Sequence, residues 1–538
     1  MSKKNNWLRT LGTLAVLAFL TATVSSALPA SAASYAPISG SGSTWSQNAL
    51  DQWRKNVASN YGMTVNYSGN GSSAGRQDFI AGTVDFAVSE IPFQSNPVDG
   101  SAPEVPTRPY SYMPIVAGGT SFMYNLKIGG IRVSNLRLSG EVITKIFTGK
   151  ITNWNDPAIQ ADNPGLAMPS KTIVPVVRSD GSGSSAQFTL WMSKQHTALW
   201  NSFFPAGGLT SQYPAIPGGK AQSGSAGVSG YVSQDYGEGA ITYVEYSYAL
   251  KAGFPVAKVL NNAGYYVEPT ANSVAVALMA ATLNPDYTQV LDGVYNNADP
   301  RTYPLSSYSY MIIPNAVGGV FTTDKGVTLS TFANYMLCEG QQQAAALGYS
   351  PLPMNLVLAG FDQIKKIPGA DPAGVDINKC NNPTFKAGDS PTTNQLALSA
   401  AQPAECDKQG ANQCTTGTAG ATTDTPVSGS GSGGSAAGGA AGATGAAGAA
   451  GAGAAGGTAG AAGGAAVYDA NGALVSGGTS GVSGALAAAS PFTLPDSGWG
   501  ASQSIMLFAG ALLVVAAVLP PLLWRRLRLG TAGKVVTK

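Results

Sequence analysis

From residue 34 to residue 386, apolar and polar positions follow two alternating rhythms. Short runs in which apolar residues are continuous or fall on every second position read as strands: YAPI (35–38), MTVNY (63–67), VDFAVSE (84–90) and TIVPVV (172–177). Between them apolar residues recur at helical spacing. Leu50, Trp53 and Val57 share one side of 46–61, and Phe188, Trp191 and Met192 repeat the pattern after the third strand-to-helix loop. Those aromatics read as core rather than as cofactor contacts. GAITYVEYSYAL (239–250) follows the helical SAGVSGYVSQDYG (225–237). Such alternation predicts an α/β unit with a mostly parallel sheet and helices on its faces, and the length suffices for two lobes.

Outside this span the patterning changes character. Lys3, Lys4 and Arg9 precede an apolar run at 11–20, and Ala30-Ser31-Ala32 has the small-x-small form of a secretory cleavage site. Residues 1–32 are therefore expected to be a signal peptide. Residues 415–490 are almost wholly Gly, Ala, Ser and Thr, too poor in apolar surface to offset chain entropy, and predict a flexible, disordered stalk. The uncharged apolar stretch 505–524 is followed by Arg525, Arg526 and Arg528, which predicts one transmembrane helix with a cytoplasmic basic tail at 525–538. LPDSG (494–498) resembles a sortase signal of the LPxTG type, with Ser497 where threonine is usual. A retained helix at the extracellular face of the membrane is the expectation, with covalent attachment to the cell wall as the alternative.

Composition narrows the chemistry. Thirty basic and 28 acidic residues leave a net charge of +2, so a nucleic-acid partner has no electrostatic footprint. All four cysteines lie late, Cys338, Cys380, Cys406 and Cys414, and an even count in an exported chain favours disulfides. Three pairings are open in principle, and Cys338–Cys380 with Cys406–Cys414 is the expected one. Without a CxxC pair or a nearby histidine, a zinc site is not supported, and neither a metal nor another cofactor is expected.

Three loops carry the candidate chemistry: SGSGSTW (39–45), SGNGSSAG (68–75) and RSDGSGSSA (178–186), each joining a strand to a helix. Glycine lets the backbone approach a ligand closely, and helix-start amides with hydroxyls hold an oxyanion without lysines. Enzyme motifs also match by chance. GNGSSA (69–74) fits a dinucleotide fingerprint with Glu90 some way on, but its helix is short. GSSAG (71–75) fits a hydrolase elbow with Ser73 as nucleophile and His196, the single histidine, as base; a solvated His196 is the plainer reading. No GxxxxGK[ST] loop exists.

The three loops, in this order, resemble those of the phosphate-binding proteins that serve ABC phosphate importers. GSGSTW, GNGSSAG, DFAVSE and RSDGSGSS stand where that family has G-x-G-x-T-aromatic, GxGSS-G, DF-x-x-S-acid and R-x-D-G-S-G-T/S. LSGEVITKIFTGKITNWNDPAI, NPGLAMPSKTIVPVVR and GAITYVEYSYA also have close counterparts. The resemblance spans roughly residues 39–358.

It implies a two-lobed periplasmic-binding-protein-like fold of type II, with lobe I at 34–114 plus 251–386 and lobe II at 115–250; a cysteine-bearing extension at 387–414 falls outside the resemblance. It also implies a non-enzymatic monomer that captures inorganic phosphate and delivers it to an ABC permease. A surface sensor or scavenger is the alternative. Binding would use Thr44, Trp45, Ser72, Glu90, Arg178, Ser182, Gly183 and Ser184, with Asp180 orienting Arg178. Glu90 departs from the aspartate usual in the family, and would accept the proton of hydrogen phosphate from one methylene further out.

Overall fold

The computed structural model describes residues 35–419, Ala421, and two short strands, Val467–Tyr468 and Leu474–Ser476, which pair antiparallel with each other. The expectations for 1–32, 494–498, 505–524 and 525–538, and for most of the stalk, lie outside the described residues. Among those described, no helix is long and apolar enough to cross a membrane.

Eight strands form one continuous sheet. They are β1 (Ile38–Gly42), β2 (Val65–Ser68), β3 (Phe86–Ser89), β4 (Tyr110–Tyr124), β6 (Val174–Arg178), β7 (Lys220–Gln222), β8 (Ala240–Glu245) and β11 (Ser306–Pro314), in the order β2-β1-β3-β11-β4-β8-β6-β7. Three further short strands, β5 (Arg137–Leu138), β9 (Lys258–Leu260) and β10 (Tyr266–Val267), make a separate small sheet. The expected parallel pairing holds on both flanks, β2-β1-β3 and β8-β6-β7. It fails in the middle, where β11 runs antiparallel to β3 and β4, and β8 antiparallel to β4.

The architecture is a two-lobed α/β fold hinged on β4. That strand pairs with β11 from Tyr110 to Gly119 and with β8 from Thr120 to Tyr124, so a single strand serves both lobes. The boundary expected at 114/115 falls within this strand, whose change of partner comes between Gly119 and Thr120. The Ala257 amide donates to Phe122 O at 2.9 Å, and β9 pairs in parallel with β5. The apolar residues expected as core are buried: Leu50, Trp53 and Val57 on α1 (Gln47–Tyr61), and Phe188, Trp191 and Met192 on α3 (Gly183–Gln195).

The segment beyond 386 folds back onto the molecule. Cys338 is bonded to Cys380 and Cys406 to Cys414. Between the two bridges, Arg301 Nη1 donates to the carbonyls of Ala397 and Ala400 at 3.0 and 3.2 Å. Buried Arg137 donates to Cys406 O and Asn412 O, and Lys258 pairs with Asp407 at 2.7 Å. Thr418 is buried and bonded to Val256, so packing runs a few residues into the segment assigned by composition to the stalk. Composition misplaces that boundary because Thr418 is fixed by long-range partners that its small neighbours do not reveal.

Candidate functional site

Each of the three loops begins in a strand and ends in a helix, as its sequence requires, but the strands run further than expected. Ser39 to Gly42 are part of β1, held between β2 and β3. A Cβ at Gly40 would collide with the Phe86 ring and one at Gly42 with the Val88 carbonyl, so glycine is needed there for strand packing. The second loop opens α2 (Ser72–Ala81) and the third opens α3, whose N-cap Ser182 accepts from the Ser185 amide at 3.2 Å.

The loops meet across the two lobes. Thr44 Oγ1 is 2.9 Å from Ser225 Oγ and accepts the Ser225 amide at 3.1 Å. Ser72 Oγ accepts the Gly183 amide at 3.1 Å, and the Ser73 amide donates to Gly181 O at 3.0 Å. Gly71, at φ +98°, lies directly against Asp180, where a Cβ would meet the carboxylate at 2.6 Å. Thr44, Ser72, Glu90, Arg178, Ser182 and Ser184 are all shielded from solvent. The lobes are closed on each other here.

Buried Arg76, which follows the second loop, is taken up by Glu104, Ser89 and Ser73; Arg178 is the cation that the third loop carries into the cluster. Its Nε donates to Asp180 Oδ1 at 2.7 Å, its Nη2 to Asp180 Oδ2, and its Nη1 to Ser225 Oγ at 3.3 Å. Asp180 also takes the Gly224 amide at 2.9 Å. Burial pushes the Asp180 carboxyl up, but the hydrogen bonds and charge of Arg178 and the Gly224 amide outweigh it and hold its pKa below the usual range. Guanidinium and carboxylate thus form a fixed, nearly neutral unit with spare N–H donors.

Glu90, also fully buried, accepts from Ser43, Ser72 (2.7 Å) and Ser309 (2.9 Å). Ser184 Oγ is buried with no hydrogen-bond partner, at the start of α3 where helix amides gather positive charge. Trp45 differs from the rest. Its indole is buried and donates to Thr120 Oγ1 at 3.3 Å, and its amide donates to Ser43 Oγ at 3.0 Å.

Sequence reasoning missed Ser43, Ser225 and Ser309. Ser225 had a signal, since SGSAG (223–227) repeats the small-residue strand-to-helix pattern between β7 and α4 (Gly224–Ser233). Ser309 had none, being one serine among several in the strand SSYSYM (306–311).

The enzyme readings find no geometry. Ser73 Oγ accepts from Arg76 at 3.2 Å. His196 sits edge-on to Trp191 with ring centroids 5.0 Å apart, and burial lowers its pKa. It is part of the packing, not the solvated histidine expected. Among the described residues no cluster of His, Cys, Asp and Glu has metal-ligand geometry. A cavity of about 480 Å³ beside Arg301 and Leu398 shares no lining residue with the loops.

Residues 27–339 match the model of the PBP superfamily domain. The phosphate-binding protein PstS of Xylella fastidiosa (strain Temecula1) is 34% identical over 325 residues, covering 60% of this chain and 82% of that protein. The chain belongs to the PstS family. PstS of Haemophilus influenzae is 31% identical over 360 residues, covering 66% of this chain and 96% of its own. Among solved structures, a phosphate-binding protein from Stenotrophomonas maltophilia covers 60% of this chain and 92% of its own at 18% identity, with a TM-score of 0.46. The match to the PBP superfamily domain ends at residue 339, before the Cys338–Cys380 bridge closes and before the segment that packs on Arg137.

Proposed function

We propose that this chain captures hydrogen phosphate between its lobes and presents it to an ABC importer, acting as a binding protein and not as an enzyme. The reading is supported most by one observation: loops from both lobes converge on a buried cluster in which Arg178 is already neutralised by Asp180. Such a cluster favours a small anion bound by many hydrogen bonds over a bulky or highly charged one. Thr44, Arg178, Ser182 and Ser184 supply donors, Ser72, Gly183 and Trp45 hold together the loops that carry them, and Glu90 supplies the acceptor that hydrogen phosphate requires.

On this reading the chain works as a monomer outside the cytoplasmic membrane, held by 505–524 or attached to the wall through 494–498. Calorimetry on the full chain tests the binding claim. Phosphate should give a saturable heat, and the Arg178→Ala variant should lose it. A chain that binds no phosphate sinks the proposal.

A further inference from the structure

Three hydroxyls from three different segments of lobe I converge on Glu90, and each has only one proton to give. Ser43 Oγ already accepts from the amides of Trp45 (3.0 Å) and Ser46 (3.4 Å), so its proton goes to Glu90 Oε1. Ser309 Oγ, on β11, lies 2.9 Å from the same oxygen and 3.3 Å from Ser46 Oγ, and the nearer, charged carboxylate takes its proton. Ser72 Oγ accepts the Gly183 amide and donates to Oε2 at 2.7 Å.

A carboxylate oxygen has two lone-pair directions. Oε1 is therefore filled by Ser43 and Ser309, while Oε2 keeps one direction open. Oε2 is also the oxygen that faces the other lobe, since a Cβ on Gly183 would overlap it. The backbone carbonyl of Glu90 is fixed as well, accepting Gln187 Nε2 at 2.8 Å and Gln289 Nε2 at 3.3 Å. The carboxylate cannot exchange its two oxygens without breaking all three hydroxyl bonds.

We infer that Ser309 and Ser43 are positioning residues that set oxyanion selectivity: by saturating Oε1 they leave Oε2 as the one acceptor turned toward the cleft. An anion that carries a proton can donate to Oε2. A fully ionised one, such as sulfate, brings lone pairs against a lone pair and leaves Oε2 unsatisfied. With Glu90 one methylene longer than aspartate, the side chain has an extra rotatable bond, and the two serines take up that freedom. The inference rests on the phosphate reading and deepens it.

Ser309→Thr and Ser309→Val test it as a pair of nearly equal shape, one with the hydroxyl and one without. Phosphate and sulfate affinities are measured by calorimetry on the full chain, with thermal unfolding to establish that each variant is folded. The unsubstituted chain and Ser309→Thr should share one phosphate-to-sulfate preference. Ser309→Val should reduce it roughly tenfold, chiefly by weakening phosphate binding, because a carboxylate with one direction of Oε1 freed no longer holds Oε2 toward the cleft. Ser43→Ala gives a second variant on the same oxygen and should move the preference in the same direction. An unchanged preference in folded Ser309→Val and Ser43→Ala overturns the inference while leaving phosphate capture intact. A wild-type chain that binds neither anion overturns both.

Discussion

Arg178 shows how much of the site one residue organises. Its guanidinium is pinned by Asp180 in the same loop and by Ser225, which Thr44 holds from the opposite lobe. Arg178→Lys keeps the charge but loses the planar fork, and should weaken phosphate binding by about 10- to 100-fold, the loss of one or more charge-assisted bonds. Ser225→Ala should cost roughly tenfold in affinity by calorimetry, because it removes a cross-lobe contact without removing charge. The sequence made Arg178 and Asp180 legible through a dense motif, RSDGSGSS. It hid Ser309, whose role depends on a strand from far along the chain being laid beside β3, a register that no local pattern encodes.

At the level of elements, β4 and its neighbours explain both what could be read and what could not. Strand and helix identities followed from apolar periodicity, yet no periodicity marks a change of partner: β4 is one strand, buried along nearly all its length, that pairs with β11 up to Gly119 and with β8 from Thr120. Beside it, Glu245 ends β8 and caps the helix Tyr246–Ala252, accepting the Ser247 amide at 2.7 Å while its other oxygen has no partner. Burial raises the Glu245 pKa well above its usual value. The folded state then holds a proton that the unfolded chain releases above about pH 4.5, so this group's contribution to stability is complete below that pH and declines as pH rises. Glu245→Gln should therefore raise the melting temperature at pH 8 and change it little at pH 4. Equal shifts at both pH values would rule this out.

Across the whole molecule, the segment beyond 386 acts as a strap. It follows the Cys338–Cys380 bridge, which lies beside the helix Thr323–Leu337, crosses over Arg301, and ends against Arg137, Lys258 and, through Thr418, Val256. The cysteine count made the bridges legible, but nothing in 387–414 announced that its carbonyls would satisfy a buried arginine. The Cys338–Cys380 bridge spans 42 residues and Cys406–Cys414 spans 8. In the chain-entropy model these contribute about 4 and about 2.5 kcal/mol, so opening the first by paired Cys→Ser substitution should lower the denaturation midpoint more than opening the second. A chain cut at 386 would expose Arg137 and Lys258 as well, and should unfold at lower denaturant than the full chain.

The pairing of Arg178 with Asp180 has a consequence for the surroundings in which such a protein can operate. A cleft that attracted anions through a long-range positive field would lose its hold as salt rose, because mobile ions screen that field within about 10 Å at 0.1 M. Here the charge is cancelled inside the site and its groups are shielded from solvent, so recognition depends on hydrogen bonds at contact distance. Phosphate affinity should then stay nearly constant from about 0.02 to about 0.5 M salt. Asp180→Asn should introduce a salt dependence that the parent chain lacks. A protein facing the outside of a cell cannot choose its ionic climate, and this one is built to work without regard to it.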